Sequence, residues 1–94
     1  MNVYFYAALI VQKCIAEKFD IPVQDVNFDK RLESNPPTGY GFNENSLMAF
    51  VQIDIKNRIH QKYPTKTIVI NPAEAKVLTK GSSVPLVAFI AQQL

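Results

Sequence analysis

The spacing of apolar residues along the chain predicts helices. In the first such stretch, Val3–Phe19, apolar residues recur every three or four positions, which is the period of one helix face. Pro22 ends the pattern, because a proline ring cannot continue a helix. This stretch therefore predicts a long first helix whose inner face is formed by Ala7, Ala8, Val11, Cys14, Ile15 and Phe19.

The helical period fades between residues 22 and 44, where Pro36, Pro37, Gly39 and Gly41 accumulate. Such residues favour turns, so this part of the chain is expected to be a long connection. A structureless connection of this length is unusual in a small domain, which indicates that it is functional or held by buried side chains. The candidate anchors are Val26, Phe28 and Leu32.

The glycine pair of that connection does not form a phosphate-binding loop. Gly39-Tyr40-Gly41-Phe42 is short and lacks both the Lys-Ser/Thr ending and the preceding strand of such loops. It is better interpreted as a turn with two aromatic anchors.

A second helix is predicted to begin near Ser46, with Asn43 or Asn45 as its cap, and to end before Tyr63-Pro64. Its apolar residues follow one another at steps of four and should all face the core. These residues are Leu47, Val51, Ile55 and Ile59.

Two further helices follow. Asn71-Pro72-Ala73-Glu74 has the pattern of a cap, a first-turn proline and a glutamate that reaches back, and Lys80-Gly81 should close this short helix. Ser83 is the expected cap of the last helix, over residues 84–94. Residues 67–70 have strand propensity, but a lone strand has no sheet to join, so an extended buried loop is predicted.

The expected fold class is therefore all-α, a four-helix bundle with a long loop between helices 1 and 2 and a short third helix. A chain of 94 residues is long enough for one compact domain, here residues 1–94, and too short for a second of ordinary size. The apolar fraction of 48% lies in the range of globular proteins, and no internal repeat is visible.

Composition limits the chemistry. Cys14 is the only cysteine, so neither a disulfide framework nor a thiolate metal cluster can form, and a reducing, cytoplasmic location is expected. The apolar run from Val3 to Val11 is too short to cross a bilayer and lacks the positive start of a signal peptide. Stable membrane insertion is not expected, although these first turns remain candidates for contact with a membrane or a partner.

Several segments together resemble acyl carrier proteins. Ile15-Ala16-Glu17-Lys18-Phe19-Asp20-Ile21, followed by Asp25-Val26 and Leu32, is similar to the end of the first helix and the start of the long loop in that family. Asn45-Ser46-Leu47 resembles the family's Asp-Ser-Leu at the head of the second helix. Ile68-Val69-Ile70 and Asn71-Pro72-Ala73-Glu74-Ala75 resemble its approach to a short third helix, so the similarity spans most of the chain.

The resemblance implies a four-helix acyl-carrier fold in which the Ser46 hydroxyl bears 4′-phosphopantetheine, derived from coenzyme A, through a phosphodiester. The arm would hold acyl or aminoacyl groups as thioesters for fatty-acid, lipid or secondary-metabolite synthesis. The expected partners are a phosphopantetheinyl transferase and acyl-transferring or acyl-modifying enzymes. The carrier itself would catalyse nothing, so no catalytic residue and no metal site are assigned.

Partner recognition is expected to involve residues on the second helix: Asn45, Leu47, Phe50, Asp54 and Arg58. An apolar stripe at helical spacing is more often core, which applies to Leu47 in particular. Phe50 is the residue of this set that we expect to be more exposed.

Three features depart from the family pattern. Asn45 stands where aspartate is usual, and the second helix carries Lys56, Arg58 and Lys62 against Asp54 alone, whereas family members are typically acidic. Residues 46–94 contain six bases and two acids. With Ser46 aligned to the modified serine, the apolar stripe lies one residue early, and aligning the stripe instead would place Asn45 at the attachment position.

Other functions remain open. The main alternative is an unmodified carrier-like helical protein that acts as a protein-interaction module. A nucleic-acid binder is less favoured, because a net charge of +2 is mild and no concentrated basic stripe is present. His60 has no second metal ligand nearby in the sequence, and an autonomous enzyme has no recognisable set of catalytic groups. A monomer is expected.

Overall fold

The computed structural model describes residues 2–94, and those residues contain helices but no strand. Helix α1 spans Val3–Phe19, α2 spans Glu44–Ala49, α3 spans Lys56–His60, α4 spans Pro72–Thr79 and α5 spans Ser83–Gln92. A π-helical segment, Phe50–Ile55, joins α2 to α3 with right-handed helical dihedrals at both junctions. The three pieces form one continuous rod, here called the second rod, so residues 2–94 contain four helical rods.

The prediction of an all-α bundle with a long first connection and a short third helix is confirmed at this level. Helix α1 packs against both α5 and the second rod, and α2 packs against α4. Within residues 2–94, no helix has both the length and the apolar character needed to span a lipid bilayer.

The long connection is held by buried side chains, one of the two alternatives that the sequence left open, and also by backbone hydrogen bonds. Leu32 is fully buried, and Tyr40 and Phe42 are also buried, which confirms the two aromatic anchors. The Leu32 N–H donates to the Gly81 carbonyl oxygen at 3.0 Å, and the Phe42 N–H donates to the Leu32 carbonyl oxygen at 2.8 Å. The connection is thereby attached to the start of α5. Only a short 3-10 turn, Val23–Asp25, is helical within it.

The cap of α5 differs from the prediction. Ser82, not Ser83, is the N-cap, and its side chain accepts a hydrogen bond from the Val84 N–H. Ser83 is fully buried, and both its N–H and its hydroxyl donate to the Phe28 carbonyl oxygen, at 3.1 and 3.0 Å. Ser83 is therefore a second attachment point for the long connection.

The π-helical segment explains the steps of four in the second rod. In a regular α-helix, each step of four residues rotates a side chain about 40° beyond a full turn, so a long stripe drifts off one face. The wider π geometry places more residues in each turn and counteracts that drift. All four predicted residues are fully buried: Leu47, Val51, Ile55 and Ile59.

Residues 67–70 form the extended loop that was predicted. Ile68 and Ile70 are buried while Val69 is exposed between them. The Gln93 side chain both accepts from the Val69 N–H, at 2.8 Å, and donates to the Val69 carbonyl oxygen, at 3.0 Å. The Gln93 side-chain amide thus supplies the two backbone hydrogen bonds that a neighbouring strand would otherwise make.

Helix α4 begins as the sequence predicts. Asn71 is its N-cap, Pro72 occupies the first turn, and Glu74 reaches back to the Asn71 N–H at 3.0 Å while the Glu74 N–H donates to the Asn71 side chain. This reciprocal pair is a capping box, which supplies two of the hydrogen bonds that a helix start lacks.

Candidate functional site

Ser46 lies at the third position of α2 and is partly exposed. Asn43 is the N-cap, so of the two predicted cap candidates Asn43 is confirmed and Asn45 is not. The Ser46 N–H donates to Asn43 Oδ1 at 2.8 Å, and Ser46 Oγ accepts from the Asn43 N–H at 2.9 Å. Ser46 therefore completes a capping box in the place where glutamate or glutamine is usual.

The hydroxyl of Ser46 also donates to the Asn43 carbonyl oxygen, at 3.2 Å. Esterification would remove this donor and leave the oxygen lone pairs, which accept from the Asn43 N–H. Formation of a phosphodiester at Ser46 would thus remove one long hydrogen bond from the folded protein. Such a bond contributes about 0.5–1.5 kcal/mol to the free energy of unfolding. The site is chemically compatible with a 4′-phosphopantetheine arm at that cost.

The expectation that Phe50 is exposed is wrong. Its side chain is 1% exposed, and its ring lies 5.0 Å from the Phe42 ring, centroid to centroid. Leu47 is fully buried. Both residues belong to the hydrophobic core, so neither presents its side chain to a partner in this conformation.

The polar residues of the predicted recognition set remain accessible and lie on two parts of the second rod. Asn45 is exposed at its start. Asp54 is exposed and Arg58 is partly exposed further along, where both line a cleft of about 360 Å³ against α1. Arg58 forms an ion pair with Glu17 of α1. Sequence reasoning missed this pairing, since nothing in a single sequence relates positions 17 and 58.

Cys14 closes the inner wall of that cleft. Its side chain is almost fully buried, and the thiol donates to the Asp54 carbonyl oxygen at 3.7 Å. Burial raises the pKa of the Cys14 thiol to about 11, against a smaller lowering by the nearby Arg58 guanidinium. At neutral pH the thiol is protonated and is a poor nucleophile. Cys14 therefore contacts the π-helical segment as a protonated thiol.

Two polar groups at and just after the end of α3 are used locally. His60 Nε2 lies 2.7 Å from the Lys66 carbonyl oxygen, so the imidazole holds the turn after α3. Lys62 Nζ lies 4.7 Å from the centroid of the Tyr6 ring. Within residues 2–94, no group of three His, Cys, Asp or Glu side chains is arranged to hold a metal ion.

Comparison with known proteins adds no family. No protein-family model matches this chain, and no curated protein or solved structure matches it either.

The capping geometry gives a direct test of which asparagine matters. Asn43→Ala is expected to lower the free energy of unfolding by about 1 kcal/mol, because it removes the acceptor for the Ser46 N–H. Asn45→Ala, whose exposed side chain forms no hydrogen bond in the described part of the chain, should change it by less than about 0.5 kcal/mol. Urea unfolding followed by circular dichroism measures both values, and equal losses would contradict the cap assignment.

Proposed function

We propose that this protein is a carrier that holds acyl or aminoacyl groups as thioesters on a 4′-phosphopantetheine arm attached to Ser46. The single observation that carries the proposal is the position of Ser46, which is partly exposed in the first turn of a helix that follows a long connection. The pathway class would be fatty-acid, lipid or secondary-metabolite synthesis. The resemblance of the Asn45-Ser46-Leu47 segment to acyl carrier proteins supplies the chemistry.

The surroundings of Ser46 suit a fixed attachment point. Leu47, next in the chain, and Phe50, one turn later, are buried in the core and hold the start of the second rod in place. The Ser46 backbone is further fixed by its hydrogen bond to Asn43. An arm joined at this position would swing from a rigid base, which suits delivery of a cargo to successive enzymes.

The start of a helix also suits the phosphate of such an arm. The first backbone N–H groups of an α-helix have no partner within the helix, and the helix dipole places partial positive charge there. The Ser46 N–H is already bound to Asn43 Oδ1, so what favours a phosphodiester on Ser46 is the helix dipole, against the repulsion of the Glu44 carboxylate in the same turn.

Charge indicates what kind of enzyme would recognise this carrier. The accessible polar residues of the recognition set are Asn45, Asp54 and Arg58. The second rod as a whole is balanced, with Glu44 and Asp54 against Lys56 and Arg58, but its carboxyl end is basic because Lys62 follows shortly after it. Enzymes with basic docking patches, which suit acidic carriers, should bind it poorly, whereas acidic patches would be complementary. We therefore propose that its phosphopantetheinyl transferase and its acyl-transferring enzymes present carboxylates to the carboxyl end of this rod.

Intact-mass measurement tests the attachment. The protein is incubated with coenzyme A and several phosphopantetheinyl transferases, including one from the native source. The expected result is a mass gain of one phosphopantetheinyl group, located at Ser46 by peptide fragmentation. Ser46→Ala should abolish the gain, whereas Ser82→Ala, which removes the capping serine of α5, should leave it unchanged.

A mass gain that persists in Ser46→Ala would move the arm to another residue and overturn the site. No gain with any transferase would overturn the carrier proposal.

One observation favours a second function, that of an unmodified interaction module. Ser46 Oγ already takes part in two hydrogen bonds with the Asn43 backbone, so the serine has a structural role without an arm. If no transferase modifies the protein, this reading gains support, and its partner would be sought by binding measurements on the unmodified chain.

A further inference from the structure

The cleft between α1 and the second rod is lined by charged and amide side chains from both helices. On the second rod the lining residues are spaced by three or one from Asp54 to Gln61, which is the spacing of one helix face. The cleft volume is about 360 Å³. We define the α1 cleft by its six charged and amide side chains: Glu17, Lys18, Asp54, Asn57, Arg58 and Gln61.

The charges of the α1 cleft cancel. Two acids, Glu17 and Asp54, stand against two bases, Lys18 and Arg58. A ligand of one sign would meet as much repulsion as attraction there. A molecule that carries both signs can place each of its charges beside an opposite one.

Only half of these charges form an ion pair. Asp54 precedes Arg58 by four residues, the spacing at which an acid and a base on one helix commonly pair. Arg58 instead pairs with Glu17 across the cleft, so Asp54 has no ion pair in the described part of the chain. Lys18 has none there either, and its ammonium lies 5.7 Å from the centroid of the Phe42 ring. One carboxylate and one ammonium thus remain for a ligand.

Arg58 is the group of the α1 cleft best suited to bind a carboxylate. Its side chain is 23% exposed, and charges interact more strongly where water is partly excluded. A guanidinium has five N–H donors in a planar fork, and Glu17 is bound at Nη2, so donors remain for a second carboxylate. Asp54 lies one turn earlier on the same helix face. The two groups therefore suit a molecule whose carboxylate and ammonium are close neighbours.

We propose that the α1 cleft binds a free polar α-amino acid. The carboxylate of the ligand would lie on Arg58 and Lys18, and its ammonium on Asp54. The side chains of Asn57 and Gln61, which form no hydrogen bond within residues 2–94, would meet the polar side chain of the ligand.

The size and exposure of the α1 cleft set the expected affinity. Its volume is at the lower end of the range for small-molecule sites, which suits a molecule as small as an amino acid. Asp54 and Lys18 are exposed, and exposed ion pairs contribute little, so the dissociation constant should be about millimolar. The proposal does not depend on Ser46.

An NMR chemical-shift titration of the isotope-labelled full chain tests the site. The probes are L-serine, L-asparagine and L-glutamine, each added to well above millimolar concentration at constant pH and ionic strength. Saturable shifts are expected at the backbone amides of residues 14–18 and 54–61, with a dissociation constant of about 1 mM for at least one probe.

Two analogues of L-glutamine separate the contributions of its charges. N-acetyl-L-glutamine lacks the ammonium, and L-glutaminamide lacks the carboxylate. Each should bind about fivefold more weakly than L-glutamine, because each loses one charged contact.

A matched pair of variants locates the ammonium. Asp54→Asn should weaken L-glutamine about fivefold but leave N-acetyl-L-glutamine unchanged, since that analogue has no ammonium for Asp54 to bind. Asp29→Asn is the control, because it removes an exposed carboxylate of the long connection, and it should leave both dissociation constants unchanged.

Several results would overturn the proposal. One is the absence of saturable shifts with all three amino acids. Another is N-acetyl-L-glutamine binding as tightly as L-glutamine, which would make the α1 cleft a site for anions, and equal binding of L-glutaminamide would make it a site for cations. Binding of L-glutamine that Asp54→Asn leaves unchanged would also contradict it.

Discussion

Phe50→Ala is expected to lower the free energy of unfolding by about 3–5 kcal/mol, a large share of the total for a small domain. The Phe50 ring is buried, and it contacts the Phe42 ring of the long connection at a centroid distance of 5.0 Å. Phe42 in turn lies 5.7 Å from Phe19 at the end of α1. Loss of the ring would leave a cavity where three parts of the chain meet.

The same π-helical segment supplies a control for this change. Ile53 is 56% exposed, so Ile53→Ala should alter the free energy of unfolding by less than about 0.5 kcal/mol. Urea unfolding monitored by circular dichroism gives both values. A loss below about 1 kcal/mol for Phe50→Ala would show that Phe50 is on the surface, as the sequence had indicated, and not in the core.

Gly39→Ala is expected to cost about 3 kcal/mol. A Cβ atom at this position would lie 2.3 Å from the Ser34 carbonyl oxygen and 2.7 Å from the Arg31 carbonyl oxygen, both of which belong to the backbone. These atoms cannot yield without moving the connection, which is fixed by the Leu32–Gly81 hydrogen bond. Overpacking of this kind destabilises the folded state, with the backbone clash placing the value at the upper end of the usual range.

Gly81→Ala is the matched control, since a Cβ there would meet nothing closer than 3.7 Å. It should be nearly neutral, and restriction of the unfolded chain can even make it stabilising by a few tenths of a kcal/mol. The midpoints of thermal unfolding of the two variants are compared, and that of Gly39→Ala should be clearly lower. Equal midpoints would mean that the turn at Gly39 is looser than described.

Local signals in the sequence were sufficient for the helices. Asn71, Pro72 and Glu74 act within four residues of one another, so their pattern alone predicted the start of α4, and the structure confirms it. Regular apolar spacing similarly predicted α1 with the same bounds, Val3–Phe19. The buried anchors of the long connection could also be predicted, because isolated apolar residues in a polar stretch are typical of buried contacts.

What depends on distant contacts was not predictable from one sequence. Phe50 was expected to be the more exposed member of the recognition set, whereas it is buried together with Val51 and contacts Phe42 of the long connection. A serine before an apolar run is typical of a cap, but Ser83 instead binds the Phe28 carbonyl oxygen, which is 55 positions away. The pairing of Arg58 with Glu17 likewise joins two helices.

At the candidate site, the sequence predicted that Ser46 lies near a helix start. It did not predict the hydrogen bonds that Ser46 makes. A serine three positions after an asparagine can complete a capping box, yet Asn45 was an equally good cap by type. Only the backbone geometry distinguishes them, and it selects Asn43. The attachment of an arm to Ser46 is a proposal that a mass measurement decides.

The π-helical segment of the second rod fixes the angle, measured around the rod axis, between side chains at its two ends. Ser46 and the bases Lys56 and Arg58 sit on opposite sides of the segment Phe50–Ile55, so the twist of that segment determines how far around the rod axis they point from one another. The direction from which a molecule bound at the basic end approaches Ser46 is therefore fixed by this segment. Deleting one residue from the segment would rotate one end of the rod about its axis relative to the other end. The residues at either end would stay the same.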